Sequence, residues 1–142
     1  MNTALALSVS VVFVALALWH FRMALFRSTD ASGAVPSVEG KPLFIPSAKA
    51  TAGVGLVLLL FACLVAATGG LVHLGVPSRL LTWGSFALAL GLLARAIGDF
   101  KYVGFLKRVR GSRFARLDTL VYSPLCLLLS IGVAVVAKHN GI

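Results

Sequence analysis

Two carboxylates, two guanidiniums, an imidazole and a phenol stand out in this chain, because each borders an apolar run or lies inside one. Trp19, His20 and Arg22 close the first run, Arg95 and Asp99 the third, and Asp118 and Tyr122 open the fourth. Guanidiniums can hold an anionic or carbonyl head group through paired hydrogen bonds. An imidazole or a carboxylate, here His20 or Asp99, can carry a proton. Arg95 precedes Asp99 by four residues, the spacing of neighbours on one helix face, and Asp118, Tyr122 and Cys126 repeat that interval. A charge within an apolar helix costs on the order of a few kcal/mol even on the lenient insertion scale. These groups are therefore expected to face inward and to be paired. Two arrangements satisfy that. In one, Arg95 bridges Asp99 and Asp118 as a polar plug that sets helix register, or reaches the head groups by snorkelling. In the other, Trp19, His20, Arg22, Arg95, Asp99, Asp118 and Tyr122 form the polar mouth of a ligand site above an apolar throat.

Other chemistries find no support. The sequence has no Ser-His-Asp order, Gly-rich phosphate loop, CxxC, HxxxH or HExxH pattern. Ser123 precedes Pro124 without an evident base, which suits helix packing. Cys63 and Cys126 fall within apolar runs and read as small buried hydrophobes rather than a disulfide framework. No metal-ligand spacing appears, and no cofactor can be named from these residues.

The elements that must position these groups follow from composition. Of 142 residues, 59% are hydrophobic and 12% charged, and the mean hydropathy is +0.99. Soluble domains carry about 25% charged residues, so this is an all-α membrane protein. Four apolar segments, about 3–21, 50–72, 80–100 and 117–138, predict an antiparallel bundle of four transmembrane helices in one domain. The first segment is not read as a signal peptide, since Arg22 and Arg27 follow it and no basic residue precedes it. Gly84, Ala87, Gly91, Ala94 and Gly98 alternate spacings of three and four, predicting a small-residue packing seam on the third helix. Pro124 removes a backbone donor and leaves the Leu120 carbonyl without its usual helical partner.

Connector 22–49 holds Pro36, Pro42 and Pro46 around an apolar centre, Leu43-Phe44-Ile45, suited to a lid over a pocket or to a rigid linker with a lipid anchor. A short turn through Gly69, Gly70, Gly75 and Pro77 makes helices two and three neighbours. Connector 101–116 carries Lys101, Lys107, Arg108, Arg110, Arg113 and Arg116. With Arg22, Arg27, Lys41 and Lys49, the two long connectors hold ten of the 13 basic residues. The positive-inside rule then places both connectors in the cytoplasm and both termini outside. The net charge of +9 matches anionic lipid head groups, especially at 101–116, rather than nucleic acid, for which no motif is present.

The segments Arg95-Ala96-Ile97-Gly98-Asp99-Phe100, Val103-Gly104-Phe105, Phe114-Ala115-Arg116-Leu117-Asp118-Thr119 and Tyr122-Ser123-Pro124-Leu125-Cys126 carry a resemblance. With Trp19-His20 and the Pro-rich first connector, the chain resembles a family of small bacterial four-helix membrane proteins catalogued as a domain of unknown function. The resemblance implies the four-helix fold and a bacterial cytoplasmic membrane, and it implies no activity. Arg95, Asp99, Asp118, Tyr122 and Pro124 match its pattern.

The leading expectation is a protein that binds an amphipathic or lipid-like small molecule in a pocket at the cytoplasmic end of the bundle. A second is an intramembrane enzyme acting on a lipid or quinone, with His20 and Asp99 as proton carriers. A third is a small transporter subunit that works as a homo-oligomer.

Overall fold

A computed structural model of the chain describes residues 2–26 and 33–141. Arg27, counted above among the connector's cations, lies outside the described residues. Helix α1 spans Asn2–Leu25, α2 Ala48–Thr68, α3 Ser78–Ile97, α4 Arg113–Leu117 and α5 Ser123–Gly141. Between α4 and α5 the chain makes one wide π-helical turn, Asp118–Tyr122, so that 113–140 run as one apolar rod. Four rods are thus long and apolar enough to cross a membrane, and the chain is a multi-pass membrane protein. Even the shortest, α3 with 20 residues, matches a bilayer core of about 30 Å at a rise of about 1.5 Å per residue.

The wide turn lies directly before Pro124. Ser123 N–H donates to the carbonyl of Asp118, five residues back rather than four. Such bulges absorb a break in the helical ladder, and here the break is the missing proline donor.

Facing residues show how the rods pair. Ser10 Oγ on α1 donates to Ala62 O on α2 (3.3 Å), while Phe21 packs beside Gly55. Thr68 Oγ1 at the end of α2 shares a 2.8 Å hydrogen bond with Ser85 Oγ near the start of α3. Ser130 Oγ on α5 donates to Ala89 O on α3 (2.7 Å), and Gly132 packs beside Val9 of α1. These contacts place α1 beside α2 and α5, α2 beside α3, and α3 beside α5. Phe13, Val65, Leu88, Leu129, Val133 and Val136 fill the core between them.

The small-residue seam is not where the sequence pattern puts it. Gly84 meets Leu64, but Ala87, Gly91 and Ala94 face outward, and a Cβ on Gly91 would meet nothing within 4 Å. The buried stripe is Thr82, Ser85, Leu88, Ala89 and Ala96. Hydroxyls decide this rotation: inside the bundle they bond to a facing helix, whereas in hydrocarbon they find no partner. Cys63 is likewise exposed on the outer face of α2, and Cys126 is half-buried; neither is the buried hydrophobe expected.

The first connector carries a small antiparallel hairpin, β1 (Ser37–Val38) and β2 (Lys41–Pro42), not foreseen from the sequence. Glu39 and Gly40 turn it with positive φ at both positions, the geometry of the tightest hairpin loops. Leu43 N–H donates to Pro36 O (2.9 Å), extending the pairing and setting the direction of Phe44, Ile45 and Pro46.

Candidate functional site

The polar residues singled out above separate into three groups. The first is a buried ion cluster. Asp118, 0% exposed, accepts from three donors: Arg95 Nη2 at 2.8 Å on Oδ1, and Gly104 N–H at 2.6 Å and Lys107 Nζ at 3.0 Å on Oδ2. Lys107, also 0% exposed at its side chain, uses its three protons fully, donating to Asp118, to Gly104 O (2.9 Å) and to Thr119 Oγ1 (2.5 Å). Arg95 keeps 35% of its side chain exposed and links the cluster to the surface.

Backbone geometry makes this cluster possible. α3 stops at Ile97 because Gly98 turns away with φ 93°. The chain crosses itself at Gly104 (φ 87°), where a Cβ on either glycine would collide with the other strand's backbone. That crossing brings Phe105 N–H to Ala96 O (2.9 Å) and Leu106 N–H to Ile97 O (3.3 Å), satisfying carbonyls at the helix end. It also points the Gly104 amide and the Lys107 ammonium at Asp118. The sequence groups Lys107 with five other loop cations expected to rest on anionic lipid, and no periodicity distinguishes it. The signal available was the Gly98 and Gly104 pair flanking a turn, with a buried acid needing more than one cation.

Asp99 forms the second group and stands apart. The sequence reading placed it on α3, four residues past Arg95 and inward. Instead it is exposed, one residue beyond the helix C-cap, and its Oδ1 accepts from the backbone N–H groups of Lys101 (2.9 Å), Tyr102 (2.8 Å) and Val103 (3.0 Å). Those bonds hold its carboxyl below the ordinary value of 3.8. Arg95 therefore bridges to Asp118 but not to Asp99. Helix termination at Gly98 overrides the four-residue spacing.

The third group lines a cleft of about 730 Å³ between the end of α1, the first connector, the start of α2 and α4. Trp19, His20, Arg22 and Tyr122, four of the seven residues singled out, lie on it; Arg95, Asp99 and Asp118 do not. Trp19, Met23, Phe26, Phe44, Ile45, Val54 and Leu117 supply apolar walls. Arg113 also lines it and was not foreseen as a site residue. Among the described lining residues there is no carboxylate.

Each polar group on this cleft has a fixed origin. The Arg22 guanidinium stacks over Trp19, 5.5 Å from the ring centroid, one helical turn away. His20 Nδ1–H donates to Leu16 O at 2.7 Å, and Nε2 has no hydrogen bond among the described residues. Tyr122 donates its hydroxyl proton to Gly33 O (2.8 Å), tying the first connector to the wide turn before α5, and its ring packs 5.8 Å from Phe114. Among the described residues no three metal-ligating side chains come together.

A family model described as a protein of unknown function (DUF3995) matches residues 13–133. The chain belongs to this family. The matched stretch contains the whole ion cluster and every described residue on the cleft. No curated protein and no solved structure matches the chain.

Proposed function

We propose that this family member binds a small amphipathic, lipid-like molecule in the cleft bounded by α1, the first connector, α2 and α4. The observation that carries this reading is the cleft itself, with aromatic and aliphatic walls and a rim holding His20, Arg22, Arg113 and Tyr122. About 730 Å³ falls within the usual range of about 300–1,000 Å³ for small-molecule sites. It suits one chain or ring system with one head group. The Arg22 guanidinium and the His20 ring on the rim suit an anionic or carbonyl head group.

The distribution of basic residues supports both termini outside, which puts the cleft at the cytoplasmic boundary; the bacterial cytoplasmic membrane is what the family resemblance implies. Arg95 and Asp118 do not enter the site in this reading. The Asp118 acceptors are spent on Arg95, Lys107 and the Gly104 amide, while Arg95 Nη1 is buried without a hydrogen-bond partner among the described residues; in this reading the pair acts as the plug that fixes helix register.

A second reading, an intramembrane enzyme on a lipid or quinone, draws on one observation: His20 has one nitrogen pinned and the other without a hydrogen bond among the described residues. Mass spectrometry of small molecules that co-purify with the full chain separates these. Wild type should retain an amphiphile that Val54→Trp, which fills the cleft, loses while staying folded. Equal retention by both proteins, or none by wild type in any mild detergent, would overturn the binding reading. Conversion of the retained molecule by wild type, abolished in His20→Ala, would favour the enzyme.

A further inference from the structure

The loop between α3 and α4 displays apolar side chains that its own backbone strains to expose. Phe100 has φ 64°, a left-handed conformation that costs a non-glycine residue free energy, and its side chain is not used to cover the protein: it is 55% exposed. Leu106 is 56% exposed and lies beside Ile97, at the end of the α3 span, through the bond between their backbones. Around these two residues Lys101, Arg108 and Arg110 are exposed as well. Arg108 and Val109 N–H both donate to Lys101 O (3.1 and 2.8 Å), so the cations at 101 and 108 sit on adjoining strands of one loop.

Hydrogen bonds brace the display. Asp99 grips three successive amides, Gly98 and Gly104 interlock, and Arg110 donates to Lys107 O and Phe105 O (both 3.1 Å). The buried ammonium of Lys107 pins the loop to the bundle. Asp99, the one acid on this loop, directs its charge at its own turn. The interlock serves the end of α3 and the ion cluster; the left-handed backbone at Phe100 leaves its ring more than half exposed beside three cations.

We propose that loop 98–112 is an anionic-lipid contact: Phe100 and Leu106 enter the boundary between head groups and acyl chains, and Lys101, Arg108 and Arg110 bind phosphate-bearing head groups around them. The bilayer fits better than a soluble polyanion because the apolar pair sits beside the end of a membrane-spanning rod. This contact is separate from the cleft and stands whether or not the cleft holds a ligand.

The test uses the full chain, with Cys63 and Cys126 replaced by alanine and a spin label at Leu106→Cys, in vesicles of phosphatidylcholine alone or mixed with phosphatidylglycerol. In the mixed vesicles the label should be accessible to oxygen and shielded from a water-soluble relaxing agent. Native mass spectrometry of the unlabelled chain should show phosphatidylglycerol retained over phosphatidylcholine. Neutralising Lys101, Arg108 and Arg110 to glutamine should lower that preference roughly fivefold per charge, on the order of a hundredfold for all three. Phe100→Asn keeps a residue type that accepts the left-handed conformation, so it should fold as well as wild type and yet lose part of the preference. A label exposed to water in both vesicles, an unchanged preference in the triple variant, or loop cations that instead govern affinity for a soluble polyanion would each overturn the proposal.

Discussion

Asp118→Asn tests whether the ion cluster is as dry as its geometry implies. The substitution keeps side-chain volume and removes one negative charge from a site that is 0% exposed. Arg95 tolerates the loss in part, since 35% of its side chain is exposed and can turn to the head groups. Lys107 cannot, because its ammonium is fully enclosed and retains only two neutral acceptors, Gly104 O and Thr119 Oγ1. Removing one partner of a buried pair costs about 3–5 kcal/mol, mostly as the penalty of the stranded charge. Lys107→Met alone strands the other charge only partly, since Asp118 keeps Arg95 and the Gly104 amide, so about 3 kcal/mol is expected, the low end of that scale. The double variant removes both charges, and it should fall short of the sum of the singles by about 1–3 kcal/mol. The assay is reversible unfolding in mixed micelles with increasing denaturing detergent, followed by helical circular dichroism. A single Asp118→Asn cost below about 1 kcal/mol, or strictly additive singles, would refute the reasoning: water would then reach the cluster, and the ions would not hold the loop.

Three further outcomes follow from particular contacts. Gly104→Ala should destabilise by roughly 2–4 kcal/mol, combining backbone strain with a steric clash against α3's end, and should release the protection of the Phe105 and Leu106 amides from hydrogen exchange. Tyr122→Phe should cost about 1 kcal/mol and raise exchange at residues 33–35, where Gly33 loses its donor, while leaving the Lys107 cage unchanged. For Asp99 the folded carboxyl titrates below its ordinary value, so its contribution is complete above pH 3.8 and lost as pH falls through the folded value. Exchange protection of the Lys101, Tyr102 and Val103 amides should therefore hold unchanged through mildly acidic pH and fail only in strong acid; Asp99→Asn should remove that pH dependence.

The polar residues at the helix ends were legible as a set, and their partition was not. Arg95 and Asp118 were expected to pair and do, at 2.8 Å across α3 and the wide turn. Asp99 was expected beside them, because four-residue spacing presumes an unbroken helix, and Gly98 breaks it. Lys107 was hidden in a run of cations whose types are identical to those of its neighbours. Only the crossing of Gly98 and Gly104 turns that one side chain inward. The cleft drew four of its residues from the polar set and Phe44 and Ile45 from the connector centre read as a lid or a lipid anchor, but Arg113 joined it through a short helix that no apolar period announces.

What the sequence alone determined is the membrane class, the four apolar rods and the concentration of cations in two connectors. Hydrocarbon excludes charge and demands runs of about 20 apolar residues, so length and composition suffice to read them. What only the tertiary structure decided is which face of each rod turns inward and which charges meet. Ser85 and Ser130 are satisfied by facing helices, and Asp118 by groups up to 23 residues distant. Such choices depend on where the chain turns back, and one glycine pair governs that here.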